Sequence, residues 1–191
     1  NDNKIALISA ICGISYTILA GKGRIICYLS GIIGTLCYSY ISFINGLYGN
    51  LILNLLYYLP MEIIGIFKWN KHLKKDKREI IKSKLKKQEQ IIYFTITFIT
   101  TIICFFILKN IGSSNPYFDS FTMNFSVLGQ LLTVKRCIEQ WYVWFFVNIV
   151  SMLMWIIAYN NGSNCFTTII MWGIYSILSV YFYIQWTKEI I

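Results

Sequence analysis

The sequence has little charge for its length. Of its 191 residues only 13% are charged, whereas soluble domains average about a quarter. Hydrophobic residues make up 57% of the chain. This composition excludes an ordinary soluble domain. The length leaves room for one bundle of helices and for no second, soluble domain.

The chain also lacks the residue sets that carry catalysis or hold a metal. Its single histidine, His72, has no second histidine with which to share a metal ion. No two of the six cysteines form a C-x-x-C pair, which indicates packing residues rather than a disulfide framework or a zinc site. The sequence contains no Ser/His/Asp set and no phosphate-binding glycine loop. We therefore expect neither enzymatic activity nor a cofactor.

What the sequence does contain is a series of seven apolar stretches. Each is close to the roughly 20 residues that a transmembrane helix needs. The fifth is the most polar, because it contains Asp119, Asn124 and Gln130. The pattern predicts an all-α, polytopic membrane helix bundle. Its predicted spans are residues 5–20, 25–45, 50–67, 91–108, 117–134, 141–159 and 165–186.

One strongly basic run, residues 71–87, separates the third span from the fourth and carries nine Lys or Arg against two acids. Because cytoplasmic loops are enriched in Lys and Arg, we place this run inside. All of the 17 basic residues except Lys4 and Lys109 then lie inside. This predicts an outer N-terminus and an inner C-terminus. The low charge and the bias toward Ile, Asn and Lys indicate a bacterium, so the expected location is a bacterial inner membrane. The near-helical Lys/Glu pattern is typical of a solvated connector near the lipid bilayer, not of a segment that binds nucleic acid.

The two halves of the chain resemble each other weakly. Asn45-Gly46 precedes an apolar helix that ends at Trp69, and Asn161-Gly162 precedes one that ends at Trp186, at nearly equal spacing. Three helices, a linking helix and three more would give both triplets the same orientation, with a substrate between them near the midplane. The predicted segments are a first repeat (1–70), a basic connector (71–90), a linking helix (91–109) and a second repeat (117–191).

Polar side chains within the spans indicate function, because an ionisable group at membrane depth costs at least about 2.5 kcal/mol on insertion scales. Glu62 is the one acid well inside a predicted span. Asn54, Tyr58 and Glu62 follow one another at i, i+4 and i+8, which predicts a shared helix face. Pro60 is expected to kink this helix. We interpret the face as the lining of a binding cavity. The alternative is that Glu62 only holds helices together.

A second polar face is predicted in the sixth span. Trp144 and Asn148 share it with Ser151, and an indole beside a carboxamide suits a flat ring with a polar edge. A cationic ring would gain a further cation–π energy of about 0.5–2 kcal/mol. Gln130 and Tyr175 are further candidates for the cavity, with aromatic packing as the alternative for Tyr175.

Four other residues in these helices have a structural explanation. Gly129 is expected to open space beside Gln130. Three tryptophans close to cytoplasmic helix ends are expected to be interface anchors, namely Trp69, Trp141 and Trp186.

Together these residues resemble the PnuC family of vitamin transporters, best known for nicotinamide riboside. The similarity spans almost the whole chain. It is carried by Gly46-Leu-Tyr-Gly-Asn50, by the run from Asn54 to Trp69, and by the run from Gln130 to Ser151. The resemblance implies a three-plus-one-plus-three helix fold related to SWEET sugar transporters. It also implies a homotrimer, and a facilitator whose substrate is trapped inside by phosphorylation.

The resemblance implies that substrate contacts the Asn54/Tyr58/Glu62 face and the Trp144/Asn148 face. Glu62 departs from the family pattern, because nicotinamide riboside members carry glutamine there. An acid could favour a cation, either the pyridinium of nicotinamide riboside or the thiazolium of thiamine, or it could be protonated and bind a neutral nucleoside.

Two further alternatives stay open at this point, a proton-coupled transporter centred on Glu62 and a membrane scaffold without transport. For transport we expect alternating access by rocking of the two three-helix bundles. The candidate hinges or close-contact points are Pro60, Gly31, Gly34 and Gly65.

Overall fold

A computed structural model describes residues 2–44, 48–76, 78–113, 115–162 and 166–190. Within these ranges the chain is helical apart from its connecting segments. A π-helical segment, Asn54–Tyr58, joins the third α-helix to the fourth. The α-helices are α1 (Asp2–Gly21), α2 (Cys27–Ile44), α3 (Tyr48–Leu53), α4 (Leu59–Asn70), α5 (Lys87–Asn110), α6 (Pro116–Val134), α7 (Gln140–Asn160) and α8 (Phe166–Ile190).

Each predicted span coincides with a helix. Because α3, the π-helical segment and α4 are continuous over residues 48–70, the seven spans correspond to seven helical rods in the described residues. Five of these rods are long and apolar enough to cross a membrane. The other two are α1, whose apolar part is the shorter Leu7–Gly21, and α6, which carries the polar residues of the fifth span. The all-helical membrane fold is therefore confirmed.

The chain folds as two compact units. The first comprises Asn1–Lys82 with Thr133–Arg136, and the second comprises Ser83–Leu132 with Cys137–Ile191. In the first unit α2 packs against α1 and against the helix of residues 48–70. In the second unit α7 packs against α8. All candidate side chains except Gln130, which lies on α6, are on helices of these pairs.

The second unit contains a small hydrophobic core beside its first helix. Leu85, Leu128 and Val143 are buried there, and the rings of Phe94 and Tyr142 pack against them. Over an 18-residue stretch α5 is strongly apolar, and only 6% of that stretch is buried. Such a helix presents its side chains to lipid rather than to a polar cavity.

The basic run, whose Lys/Glu pattern is near-helical, forms no helix in its described residues before α5 begins at Lys87. Leu73 and Ile80 pair in an antiparallel bridge, and Lys74 forms an ion pair of 3.0 Å with Glu79. The backbone N–H of Ile80 donates to the carbonyl oxygen of Gly23 at 2.9 Å. The side chain of Ile80 is fully buried. An apolar anchor inside the charged run therefore docks it onto the turn between α1 and α2.

The three tryptophans predicted as interface anchors are instead buried. Trp69 Nε1 donates to the carbonyl oxygen of Thr133 at 3.0 Å. Trp141 and Trp186 meet edge to face, with ring centroids 5.5 Å apart. An aromatic side chain has a large apolar area. A ring packed against other rings buries most of that area, whereas a ring at the membrane interface leaves part of it in water. The Asn45-Gly46 pair, on which the predicted internal repeat partly depends, lies outside the described residues.

Candidate functional site

The first polar cluster forms on the helix of residues 48–70, and Pro60 shapes it. Proline has no N–H, and its ring clashes with the carbonyl group four residues earlier, that of Leu56. The helix accommodates this by a widened turn, in which the N–H of Leu59 donates to the carbonyl oxygen of Asn54. Such π-helical turns change the phase of a helix face and are frequent at functional sites. The spacing from Asn54 to Glu62 is therefore not that of a regular α-helix.

Glu62 is buried, with 5% of its surface exposed. Thr35 Oγ1 donates to Glu62 Oε1 at 3.0 Å. Gly31 makes room for this carboxyl group, since a Cβ at that position would lie 2.7 Å from Oε1. Glu62 Oε2 has no hydrogen-bond partner among the residues that the structure describes. Leaving a buried acceptor unsatisfied costs about 1–3 kcal/mol, so this oxygen is available to a ligand that can donate. Asn54 is also buried and Tyr58 is half-buried.

An aromatic pair supports this cluster, and Tyr28 was not among the predicted residues. Tyr28 is fully buried, and its ring meets that of Trp69 edge to face at 5.0 Å. Gly65 permits the contact, because a Cβ there would overlap the Tyr28 ring. In the described part of the chain the Tyr28 hydroxyl has no hydrogen-bond partner. Gly65 is thus a close-contact point, as the sequence predicts.

The sequence of α2 contains a pattern that could have predicted the close contact between Tyr28 and Gly65. Its buried side is a row of small or polar residues spaced three or four apart, which is the pattern of a helix that packs closely within a membrane. The same row contains the partners of Glu62. Its members are Tyr28, Gly31, Thr35, Ser39 and Ser42.

Gly65→Ala is expected to lower the free energy of unfolding by about 1–3 kcal/mol, the usual cost of overpacking a tight contact. The added methyl group would displace the Tyr28 ring, and this outweighs the gain of up to about 1 kcal/mol in helix propensity. The measurement is the thermal unfolding midpoint of the purified protein in detergent. The matched control is Gly173→Ala in α8, where the nearest atom, Met152 Sδ, lies 3.8 Å from the new Cβ. Equal midpoints for the two variants would contradict the close contact.

The second polar cluster joins α7 to α8. Asn148, 5% exposed, donates from Nδ2 to Ser179 Oγ at 3.2 Å. The Ser179 hydroxyl is also 2.8 Å from the backbone carbonyl oxygen of Tyr175, to which it donates. The Tyr175 ring is half-buried and meets Trp172 edge to face. The structure therefore connects two predicted residues, Asn148 and Tyr175, through a serine that was not predicted to belong to the site.

Two further candidate residues lie in the second unit, Trp144 on α7 and Gln130 on α6. A Cβ at Gly129 would lie 2.8 Å from Trp144 Cε2. The open space predicted beside Gly129 is therefore wrong, because the indole ring of Trp144 fills it. Gln130 is 2% exposed and Trp144 is half-buried. The glycine thus positions the tryptophan of the second polar face.

A second buried acid, Glu139, lies one residue before α7. Its Oε1 accepts hydrogen bonds from the backbone N–H of Leu85 at 3.1 Å and from Gln90 Nε2 at 2.9 Å. The backbone N–H of Ile138 donates to the carbonyl oxygen of Ser83 at 2.9 Å. These bonds fasten the segment before α5 to the start of α7. Since the partners lie about 50 residues away in sequence, no local pattern predicts them.

Glu139→Ala is expected to lower the free energy of unfolding by about 1–3 kcal/mol, because it leaves the buried N–H of Leu85 without an acceptor. Thermal unfolding of the purified protein measures this. Gln88→Ala, at an exposed position of the same segment, is the control and should leave the midpoint unchanged. A midpoint for Glu139→Ala equal to that of the control would show that these bonds do not stabilise the fold.

Two cavities in the described part of the chain are lined by no candidate residue. One of about 490 Å³ lies beside Arg24 and Arg78. The other, of about 240 Å³, is lined by residues of α6 and α7 that include Phe118 and Met154. Among the described residues there is also no group of three His, Cys, Asp or Glu that could hold a metal ion. The role of the polar clusters in lining a substrate cavity stays a prediction.

Apolar helices of membrane-spanning length that bury carboxyl, amide and hydroxyl groups are the arrangement of a polytopic membrane transporter. Comparison with known proteins specifies the family. The chain belongs to the nicotinamide mononucleotide transporter family, whose model matches residues 3–188. The resemblance to the PnuC family is confirmed, and the protein is a transporter rather than an enzyme.

Two curated relatives carry the PnuC name. The chain is 34% identical to the nicotinamide riboside transporter PnuC of Neisseria mucosa, over 98% of this chain and 73% of the relative. It is 29% identical to the protein of the same name from Haemophilus influenzae, over 98% of this chain and 80% of the relative. A crystal structure of the vitamin B3 transporter PnuC superposes with a TM-score of 0.82 and is 33% identical, covering 98% of this chain and 82% of that one.

Proposed function

We propose that this transporter carries nicotinamide riboside across the membrane. The similarity to relatives named for this substrate carries the proposal. A feature of this chain that suits the same substrate is the buried carboxyl group of Glu62, which has one oxygen held by Thr35 and the other without a partner among the described residues. A buried carboxylate suits a substrate with a positive ring and hydroxyl donors. The pyridinium and ribose of nicotinamide riboside supply both.

The family description names the mononucleotide, which differs from the riboside by one phosphate group. Phosphate recognition in proteins relies on Arg and Lys. The candidate site residues include neither, and one of them is an acid that would repel phosphate. They are Asn54, Tyr58, Glu62, Gln130, Trp144, Asn148 and Tyr175. Their chemistry favours the riboside.

Each polar cluster has a distinct proposed role in recognition. Glu62 compensates the positive ring or accepts from a ribose hydroxyl, with Asn54 and Tyr58 on the same helix. Trp144 stacks on the ring, and the Asn148 amide bonds its polar edge. Gln130 and Tyr175 complete the set of proposed contacts. We propose that both clusters contact substrate during transport.

The finer architecture is also a proposal. The chain is divided into a first repeat (1–70), a connector (71–90), a linking helix (91–109) and a second repeat (117–191), in a SWEET-like three-plus-one-plus-three order. The lipid-exposed, apolar α5 supports the linking role. The burial of Trp69 and Trp186 at the ends of corresponding helices supports the repeat. We further propose a homotrimer in a bacterial inner membrane, with an outer N-terminus and an inner C-terminus.

Proteoliposomes test the transport mode directly. We expect labelled nicotinamide riboside to enter until its internal and external concentrations are equal, without accumulation and without dependence on a pH gradient. This follows because a facilitator has no energy input, and trapping requires phosphorylation by a separate kinase. Accumulation driven by an imposed proton gradient would instead establish proton-coupled transport. Liposomes without protein are the control.

A further inference from the structure

A cavity of about 490 Å³ lies where the turn between α1 and α2 meets the end of α4. The connector builds one side of it, because Ile80 is buried and its N–H donates to the carbonyl oxygen of Gly23. Arg24 follows Gly23 and Arg78 precedes Ile80 by two residues, so this docking brings both arginines to one cavity. The lining residues are Arg24, Ile25, Ile26, Asn70, Leu73 and Arg78.

The cavity is positively charged. Its lining includes two arginines and no acid. In the described part of the chain neither Arg24 nor Arg78 forms an ion pair. The acids nearby in sequence are engaged, since Glu79 pairs with Lys74 and Asp76 accepts from the backbone N–H of Arg78 at 3.2 Å. Two like charges at one cavity repel, and an anion between them would remove that repulsion.

The same cavity has an apolar side. Ile25 and Ile26 line it, and Ile26 is 54% exposed. The next turn of α2 continues this surface with the exposed side chain of Leu29. A guanidinium group binds phosphate oxygens in a bidentate manner. A phosphate attached to an acyl chain therefore matches the charged and the apolar parts together, whereas a soluble phosphate matches only the first.

We propose that this cavity is a binding site for a phosphate group, and that the headgroup of an anionic phospholipid is the source. Arg24 and Arg78 bind the phosphate oxygens, Asn70 donates its side-chain amide, and Ile25 and Ile26 contact the adjoining acyl carbons. Basic pockets beside transmembrane helices recognise lipid headgroups in this way. The site is separate from both polar clusters and does not depend on which substrate is transported.

Lipid-dependent thermal stabilisation of the purified full chain tests the site, because a ligand that binds only the folded protein raises its stability. The unfolding midpoint is measured in detergent with phosphatidylglycerol, with phosphatidylcholine, with inorganic phosphate and with nicotinamide mononucleotide. The double variant R24Q/R78Q is compared with K75Q/K84Q, which removes two exposed charges from the same connector region outside the cavity. We expect phosphatidylglycerol to raise the midpoint of the original protein and of K75Q/K84Q, and the rise to fall below half in R24Q/R78Q.

The other possible outcomes either support or overturn the proposed site. If R24Q/R78Q loses the rise in midpoint only with inorganic phosphate or with the mononucleotide, the site exists and its ligand is a soluble phosphate. Equal responses of the two double variants to every addition would overturn the proposal, because the basic connector as a whole would then attract the anion. If R24Q/R78Q does not fold, R78Q alone, on the exposed connector, is expected to show the same loss in smaller degree.

Discussion

Trp144→Ala is expected to weaken the binding of nicotinamide riboside by roughly 5- to 150-fold, corresponding to about 1–3 kcal/mol for the loss of one ring stacked on an aromatic side chain. The indole is held in place by Gly129, where a Cβ would lie 2.8 Å from Trp144 Cε2. Because the ring is half-buried rather than enclosed, it keeps a surface for a ligand. The dissociation constant of the purified protein, from calorimetry, measures the effect.

The matched control for Trp144 lies two residues further along α7. Phe146 is 54% exposed and makes up no part of either polar cluster, so Phe146→Ala should leave the affinity unchanged. The thermal midpoints of both variants separate a loss of contact from a loss of fold. An unchanged dissociation constant for a folded Trp144→Ala protein would remove this side chain from the site.

Glu62→Gln is expected to lower the preference for nicotinamide riboside over its uncharged reduced form by roughly 10- to 150-fold, since interactions with a charged group contribute about 1.5–3 kcal/mol. The riboside itself should still bind, because glutamine is the residue of the family pattern at this position. Glutamine keeps the shape of the side chain and an oxygen that can accept from Thr35. The protein should therefore fold normally. The uncharged reduced form of nicotinamide riboside provides the comparison, because it differs from the substrate mainly in the charge of its ring. We expect the variant to lose most of the preference for the charged form.

Thr35→Val is the control for this experiment, because it removes the donor to Glu62 Oε1 while it leaves the carboxyl group in place. Because the charge stays, Thr35→Val should change the affinities for the charged and the reduced ligand equally and leave the preference between them intact. If Glu62→Gln lowers expression but leaves affinity and preference unchanged, Glu62 serves only to hold helices together. Calorimetry with both ligands distinguishes these outcomes.

The helices were predictable because the membrane imposes a simple rule on sequence. A spanning helix must be about 20 apolar residues long, and its ends are marked by charges or by glycine and asparagine. The predicted span 141–159 and the helix Gln140–Asn160 differ by one residue at each end. The burial of Glu62 and Asn148 also followed from sequence, since a polar group inside such a helix is costly at the lipid surface.

The contacts around these polar groups were not predictable by the same rule. Pro60 indicates a disrupted helix, but sequence does not specify that the disruption becomes a π-helical turn at Asn54–Tyr58. That turn changes which residues share a face. The contact of Gly65 with Tyr28 and the use of Gly129 to seat Trp144 depend on how two helices approach each other. A glycine indicates close approach without naming the partner.

The sequence analysis did not predict the buried interactions of the connecting segments, and this is its largest omission. Glu139 and Ile80 lie outside the predicted spans, where solvation is the default expectation. The structure buries both, because each makes hydrogen bonds to residues distant in sequence. A periodic pattern carries information about residues three or four positions apart, and none about partners about 50 positions apart. The prediction that the three tryptophans at helix ends are interface anchors was wrong for the same reason, since the burial of each ring depends on the neighbouring helix.

Isothermal titration calorimetry of the purified, folded protein tests the central claim most directly. The panel is nicotinamide riboside, thiamine and a deoxynucleoside, with nicotinamide mononucleotide as the phosphorylated control. We predict micromolar or tighter binding of nicotinamide riboside and no comparable heat from the mononucleotide, because the candidate residues provide an acid and no cation. Equal or tighter binding of the mononucleotide, preferential binding of thiamine, or no binding across the panel would contradict the proposed substrate.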